Sequence, residues 1–276
     1  MVTAPEPEGE GLLYEQRGPI GILTLNRPER LNALNNPLVR ALLRFFADRV
    51  SDYQTRLIIL HGAGRAFCAG LDIKALATQE PWLPGLGAIQ AGFANQTALA
   101  DLVSRMRRCP QPLIAAVHGA AVGGGFALAL ACDLRIGTAD TRFACSFLNL
   151  GVGGGDLGTS YHLPRLVGSG HAADLLYSGR MVAGKEAVAM GLLNRLVEPT
   201  DLLPTALAAA EEIAMRASPF GLRLTKEVLN ETVTGISLDA ALKLENRAQV
   251  LAAQTADSAE AIRAWSTRES PTWRDA

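Results

Sequence analysis

The chain has 276 residues, enough for one or two domains with a substantial core. Its 26 Lys and Arg offset 27 Asp and Glu, so the net charge of −1 gives no electrostatic case for nucleic acid or an anionic membrane surface. An apolar fraction of 49% argues against disorder in the body of the chain.

The N-terminus, "MVTAPEPEGEG", is acidic and rich in Pro and Gly, and lacks the basic-then-apolar order of a signal peptide. Residues 1–11 are expected to form a mobile arm. "LLYEQRGPIGILTLNRP" reads as two strands joined at Arg17-Gly18-Pro19. Asn36-Pro37 has the form of a cap and first helical proline, and the apolar spacing of "LVRALLRFFADRV" continues as a helix. "RLIILHG" is a short buried strand. Residues 88–108 form a helix closed by Cys109-Pro110. "PLIAAVHG" is another strand, a glycine run and its helix follow, and "DLRIGT" returns to strand.

Strands alternate with helices to about residue 140, the α/β pattern of sheets covered by helices. Beyond Ser160 the chain turns almost wholly helical, with Asp201, Ser218 and Ser237 as N-cap candidates. The expected division is an arm (1–11), an α/β core carrying the site (12–200) and a helical segment (201–276). The apolar run Leu113–Ala131 is broken by His118 and four glycines, so it is not expected to span a membrane. Cys68, Cys109, Cys132 and Cys145 show no C-x-x-C spacing, and the four histidines are scattered. Neither a disulfide frame nor a metal site is expected, and a reducing, cytoplasmic setting fits.

"AAVGGGFALALACDL", residues 120–134, is the first stretch with chemical content. A helix N-terminus has unpaired N–H groups and partial positive charge, and glycine lets a ligand approach that backbone closely. Gly123-Gly124-Gly125 could therefore face a phosphate or polarise a carbonyl oxygen, or could serve close helix–strand packing. "GAGRAFCAGLDIKAL", residues 62–76, is a second glycine-rich turn after a buried strand.

"RPERLNAL", "GRAFCAGLDIKAL", "HGAAVGGGFALALACDLRI" and "GLLNRLV" occur in an order that resembles the crotonase superfamily, the enoyl-CoA hydratase/isomerase family. The resemblance runs from about Leu13 to Trp273. It implies a spiral of ββα units, C-terminal helices that build a homotrimer or homohexamer, and an acyl-CoA thioester as ligand, with coenzyme A part of the substrate and no separate cofactor. By position, it places oxyanion-hole N–H groups at Leu71 and Gly124. Ala69, Asp72 and Ile73 fall where the family's backbone wraps the CoA, and Arg30 and Ala33 match a segment bordering it. Arg30 could equally be a solvated charge, and Asp72 a loop cap or an ion-pair partner of Lys74.

Hydratases of the family hold a water between two glutamates. Here the corresponding positions are Ala127 and Phe147, which cannot move a proton and would form apolar wall. Asp156, in "GVGGGDLGTSYHL", resembles the aspartate that dienoyl-CoA isomerases and 4-chlorobenzoyl-CoA dehalogenases carry in that loop. The dehalogenases also need a histidine before the glycine run, and no histidine lies between His61 and His118. Asp156 is either a general acid/base or the cap of the following helix. The expectation is thioester-enolate chemistry with a single carboxylate moving protons, isomerase-like. The alternatives are hydration by Asp156 with a water aligned by Ser160, Tyr161 or backbone, and a fold that binds acyl-CoA without turning it over.

Overall fold

The computed structural model describes residues 6–75 and 82–275. The chain opens with strands β1 (Glu6–Gly9), β2 (Leu12–Arg17) and β3 (Ile20–Leu25), followed by α1 (Asn36–Asp48) and β4 (Leu57–Gly62). Next come α2 (Ala88–Arg108), β5 (Leu113–Val117), β6 (Ala120–Val122), α3 (Gly124–Ala131), β7 (Leu134–Thr138), β8 (Arg142–Ala144) and α4 (Thr159–Ser178). The remainder is β9 (Val182–Ala183), α5 (Gly184–Ala189), β10 (Arg195–Val197), α6 (Leu202–Arg216), α7 (Pro219–Thr232), α8 (Leu238–Ala253) and α9 (Ala256–Thr267).

Seven strands form the main sheet in the order β1-β2-β3-β4-β5-β7-β10, parallel from β3 onward. Its central strands read as continuous apolar runs because both faces are covered. One face packs on α1, α2, α3 and α4 in the larger core. On the other, Ile20, Leu57, Ile59, Ile114 and Ile136 meet Leu202, Ala206, Ala209, Ala210 and Ala214 of α6.

After each main-sheet strand, a short extended segment pairs with the equivalent segment of the next unit. Leu34 bridges Leu71, Cys68 bridges Ala121, β6 pairs with β8 in parallel, and β8 pairs with β9. Each such segment leads into a helix, which is the ββα repeat. In the first two units the second strand has shrunk to a single bridge.

Several expectations need correction. Residues 6–9 pair with β2 in an antiparallel ladder, so the arm is not free there; residues 1–5 lie outside the described set. Within the helical segment that starts at 201, α6 packs on the sheet and closes its second face. Asn35, not Asn36, caps α1: its side chain accepts the Leu38 N–H, placing Pro37 at the second helical position. Ser218 and Ser237 cap α7 and α8 through their hydroxyls, while Asp201 precedes α6 without a side-chain cap bond. No described helix is long and apolar enough to cross a membrane.

Candidate active site

The three glycines stand where they do for three different reasons. Gly123 adopts φ 53°, ψ −117°, a conformation that side chains resist, and its N–H donates to the Ala144 carbonyl at 2.9 Å. Gly125 packs on the neighbouring loop so closely that a Cβ there would lie 2.0 Å from the Cys68 carbonyl oxygen. Gly124, between them, is the first residue of α3 and faces a cavity. Packing and ligand approach are thus divided among adjacent residues.

The loop opposite is held by its ladder. Cys68 donates its N–H to Ala120 at 2.9 Å and accepts from Val122 at 3.0 Å. Leu34 donates to Gly70 at 2.7 Å, and Asp72 donates to Leu34 at 2.9 Å. The alternation of a strand bridge then turns the Leu71 N–H away from Leu34. Among the described residues neither the Leu71 N–H nor the Gly124 N–H has a hydrogen-bond partner. Both residues line one cavity of about 710 Å³.

The rest of the lining is mostly apolar, including Leu34, Leu99, Phe147, Leu150, Val152 and Leu157. Polar groups enter at Gln96, Ser146, Asn149 and Asp156. Asp156 is half-buried and does not cap α4, whose cap residue is Gly158 with no side-chain bond. Its Oδ1 instead accepts the Leu157 N–H at 2.7 Å and the Gln96 carboxamide N–H. Its backbone is tied to Thr159, which is buried: the Asp156 N–H donates to the Thr159 hydroxyl at 3.1 Å, and that hydroxyl donates to the Asp156 carbonyl at 2.8 Å.

The structure brings Leu71, Gly124, Ala69, Ile73, Phe147 and Asp156 together around this cavity. Ala127 is corrected: its side chain is buried in α3 and does not line the cavity, while its N–H is spent on Gly123. Asp72 and Ala33 are buried and outside the cavity lining. The Arg27 guanidinium joins them, 2.9 Å from the Asp72 carboxylate and donating to the Ala33 carbonyl. Asp72 therefore pairs with Arg27, not Lys74, and its Oδ1 also accepts the Ala75 N–H at 3.2 Å. Burial alone would raise the Asp72 pKa. The Arg27 and Ala75 hydrogen bonds, with the charges of Arg27 and Arg30, outweigh burial and hold the carboxyl below its ordinary value. Arg30 itself is exposed and outside the cavity lining. Ser160 and Tyr161 also fall outside it, and Tyr161 stacks under the Arg165 guanidinium instead.

All four cysteines are free and buried, and burial pushes the thiols of Cys68, Cys132 and Cys145 up to about 12, which rules them out as nucleophiles near neutral pH. No metal-ligating cluster occurs among the described residues. Gln96, Ser146 and Asn149 on the cavity wall, and Arg27 beside Asp72, were not singled out by sequence reasoning. Arg27 sat inside the "RPERLNAL" motif, whereas Gln96 is an uncharged residue on a long helix and carries no motif at all.

With this geometry the chain can be set beside known proteins. Residues 15–276 match the enoyl-CoA hydratase/isomerase family model. A probable enoyl-CoA hydratase of Mycobacterium bovis is 35% identical over 96% of this chain and 92% of its own length. The 1,2-epoxyphenylacetyl-CoA isomerase of Escherichia coli is 35% identical over 90% of this chain and 92% of its own. The crystal structure of a probable enoyl-CoA hydratase/isomerase from Mycobacterium abscessus superposes with a TM-score of 0.89 at 34% identity, covering 96% of this chain and 99% of the other. A family match across nearly the whole length, on a fold built of the same ββα units, leaves one conclusion: the chain belongs to the enoyl-CoA hydratase/isomerase family.

Proposed function

We propose that the protein is an acyl-CoA enzyme that stabilises a thioester enolate between the Leu71 and Gly124 N–H groups and moves protons with Asp156. One observation carries this reading: two unpaired backbone N–H groups and a half-buried carboxylate share a mostly apolar cavity. Donors fixed in the fold need no reorganisation as charge develops, and such donors supply a large share of catalysis in acyl transfer and enolisation.

For a 3-enoyl thioester the step balances simply. Asp156 takes a proton from Cα, and the C–H electron pair moves into the thioester to form a dienolate held by the two N–H groups. The dienolate then takes the proton back at Cγ, and the thioester carbonyl reforms over a 2,3 double bond. One carboxylate serves both transfers. The apolar Phe147 wall, where the resemblance would place a hydratase acid, favours this over water addition. Ala69 and Ile73 flank the cavity beside Leu71, in keeping with a CoA path along that loop, with Arg30 outside it as a phosphate contact.

Self-association completes the proposal. α8 buries no residue within the single chain, and Leu238, Val250, Ile262 and Trp265 on the last two helices are 63–85% exposed. Such surface suits subunit contacts of a homotrimer or hexamer. The assignment is of a cytoplasmic enzyme of fatty-acyl metabolism.

The test is deuterium uptake from D₂O into trans-2- and trans-3-hexenoyl-CoA, with Asp156→Asn alongside. Exchange and double-bond migration that vanish in Asp156→Asn support the reading. Addition of the mass of water would instead identify a hydratase using Asp156. Tight binding with no exchange in the wild-type protein would identify a binding protein and end the catalytic reading.

A further inference from the structure

Asp156 presents its two carboxylate oxygens very differently. Oδ1 accepts from two donors on separate elements, the Leu157 N–H beside it and the Gln96 carboxamide sixty positions earlier on α2. Among the described residues Oδ2 accepts nothing. Gln96 and Asp156 both line the cavity, so the bond between them runs along its wall.

We propose that Gln96 is a positioning residue that pins Asp156 through Oδ1 and leaves Oδ2 as the oxygen that exchanges protons with the bound acyl group. The inference rests on Asp156 being the proton carrier and goes one step beyond it.

The physical case begins with χ2. An aspartate carboxylate turns about a broad, nearly two-fold torsion, so one short-range donor does not decide which oxygen points into the cavity. Leu157 is such a donor, being the next residue in the chain. A second donor from another helix fixes the plane, and a hydrogen bond to an ionised acceptor is about twice as strong as a neutral one. Both ends of this clamp are held. On α2 the buried side chains Ala98, Leu99, Leu102, Val103 and Met106 begin two residues beyond Gln96, so Gln96 stands at the edge of the anchored half of the helix. At the other end, Leu157 adopts φ 48°, an unfavourable backbone for a leucine, and its side chain is buried against the cavity. Strain of this kind persists only where surrounding contacts over-determine it, as the paired bonds between Asp156 and Thr159 do here.

Orientation of a base costs free energy if it must be found at the moment of reaction, and misplacement by about 1 Å can cost roughly 100-fold in rate. Gln96→Ala removes the donor; Gln96→Glu keeps the size but replaces the donor with a second carboxylate. Gln96 is exposed, so both variants are expected to keep the wild-type melting temperature and far-UV dichroism. With trans-3-hexenoyl-CoA in D₂O, kcat should fall roughly 10- to 100-fold in both, while KM stays within about twofold. A raised KM with unchanged kcat would make Gln96 a substrate contact and overturn the proposal. Unchanged kinetics in both variants would also overturn it, and if Asp156→Asn is inactive in the same assay the proton-carrier assignment survives alone. Wild-type exchange in Asp156→Asn would remove that assignment and this inference with it.

Discussion

Gly125→Ala tests whether the two N–H groups work through their spacing. The added methyl would sit 2.0 Å from the Cys68 carbonyl oxygen, 2.7 Å from its carbon and 2.8 Å from the Cys68 Cβ. Ordinary contact begins at 3.4 Å, so α3 and the 66–71 loop must part by about 1.4 Å along that line. The obstacle is backbone locked into a ladder with Ala120 and Val122, and no flexible side-chain tip can yield. Overpacking of this kind costs about 1–3 kcal/mol, or a melting temperature lower by roughly 2–12 °C for a chain of this size. The larger effect should be on rate. Leu71 lies three residues beyond Cys68 on one side of the gap, and Gly124 is adjacent to Gly125 on the other. Separating the pair removes one donor from the enolate oxygen, worth about 100- to 1,000-fold in kcat.

The assay is steady-state isomerisation with a folded-fraction control by dichroism. Gly170→Ala serves as comparison, because a methyl at that exposed position meets nothing within 4 Å. A folded Gly125→Ala protein with wild-type kcat would show that the paired N–H groups are not the catalytic device.

Two further predictions concern stability. Arg27→Ala strands the Asp72 carboxylate, which is only 6% exposed, and should cost about 3–5 kcal/mol at pH 7 by urea unfolding. Because the folded Asp72 pKa lies below its ordinary value, its contribution is complete above about pH 4 and is lost as pH falls through the folded value. The Arg27→Ala deficit should therefore shrink in acid, and an equal deficit at pH 3 and pH 7 would contradict the pairing. His61 is pushed down to about 4 by burial first and by the charge of His118 second, and it bonds the Thr24 hydroxyl at 2.8 Å. Its unfolded form takes up a proton near pH 6.5 and the folded form only near 4, so stability should fall between those values as pH drops, by up to about 3 kcal/mol. His61→Gln should flatten part of that slope, and an unchanged slope would mean the loss arises elsewhere.

Most of the main sheet was legible because its strands are unbroken apolar runs between glycine and proline punctuation, as in "RLIILHG" and "PLIAAVHG". The short segments were not. β6, β8 and β9 span three residues or fewer, too few for any period to register, yet they set the spacing of the site. The N-terminal strand was hidden by its composition, since Glu6–Gly9 holds a proline and a glycine and pairs only at the sheet edge. Leu71, Gly124 and Asp156, named from glycine-rich turns by resemblance, line one cavity. Partners distant in sequence could not be named in this way. Lys74, two residues away, was one candidate partner for Asp72, but the ion pair is with Arg27 forty-five residues earlier, and no local signal pointed from Asp156 to Gln96 on α2. Local rules pair neighbours, whereas burial selects among all charges that the fold brings near.

The proposed mechanism divides its parts between the frame of the fold and its loops. Each successive ββα unit contributes one part: Leu71 follows the second-unit bridge at Cys68, Gly124 follows β6 in the third, and Asp156 precedes α4 in the fourth. The unpaired Leu71 and Gly124 N–H groups are placed by ladder register, with Cys68 opposite Ala121. The proposed proton carrier, Asp156, is instead a side chain on a loop, which can change independently of that ladder. Phe147 gives the cavity an apolar wall, and Asp156, bonded to Gln96, is its one carboxylate among the described lining residues. In the mechanism proposed above, enolate stabilisation belongs to the backbone of the fold, and the path of the proton to the loop that holds the carboxylate and the helix that holds it still.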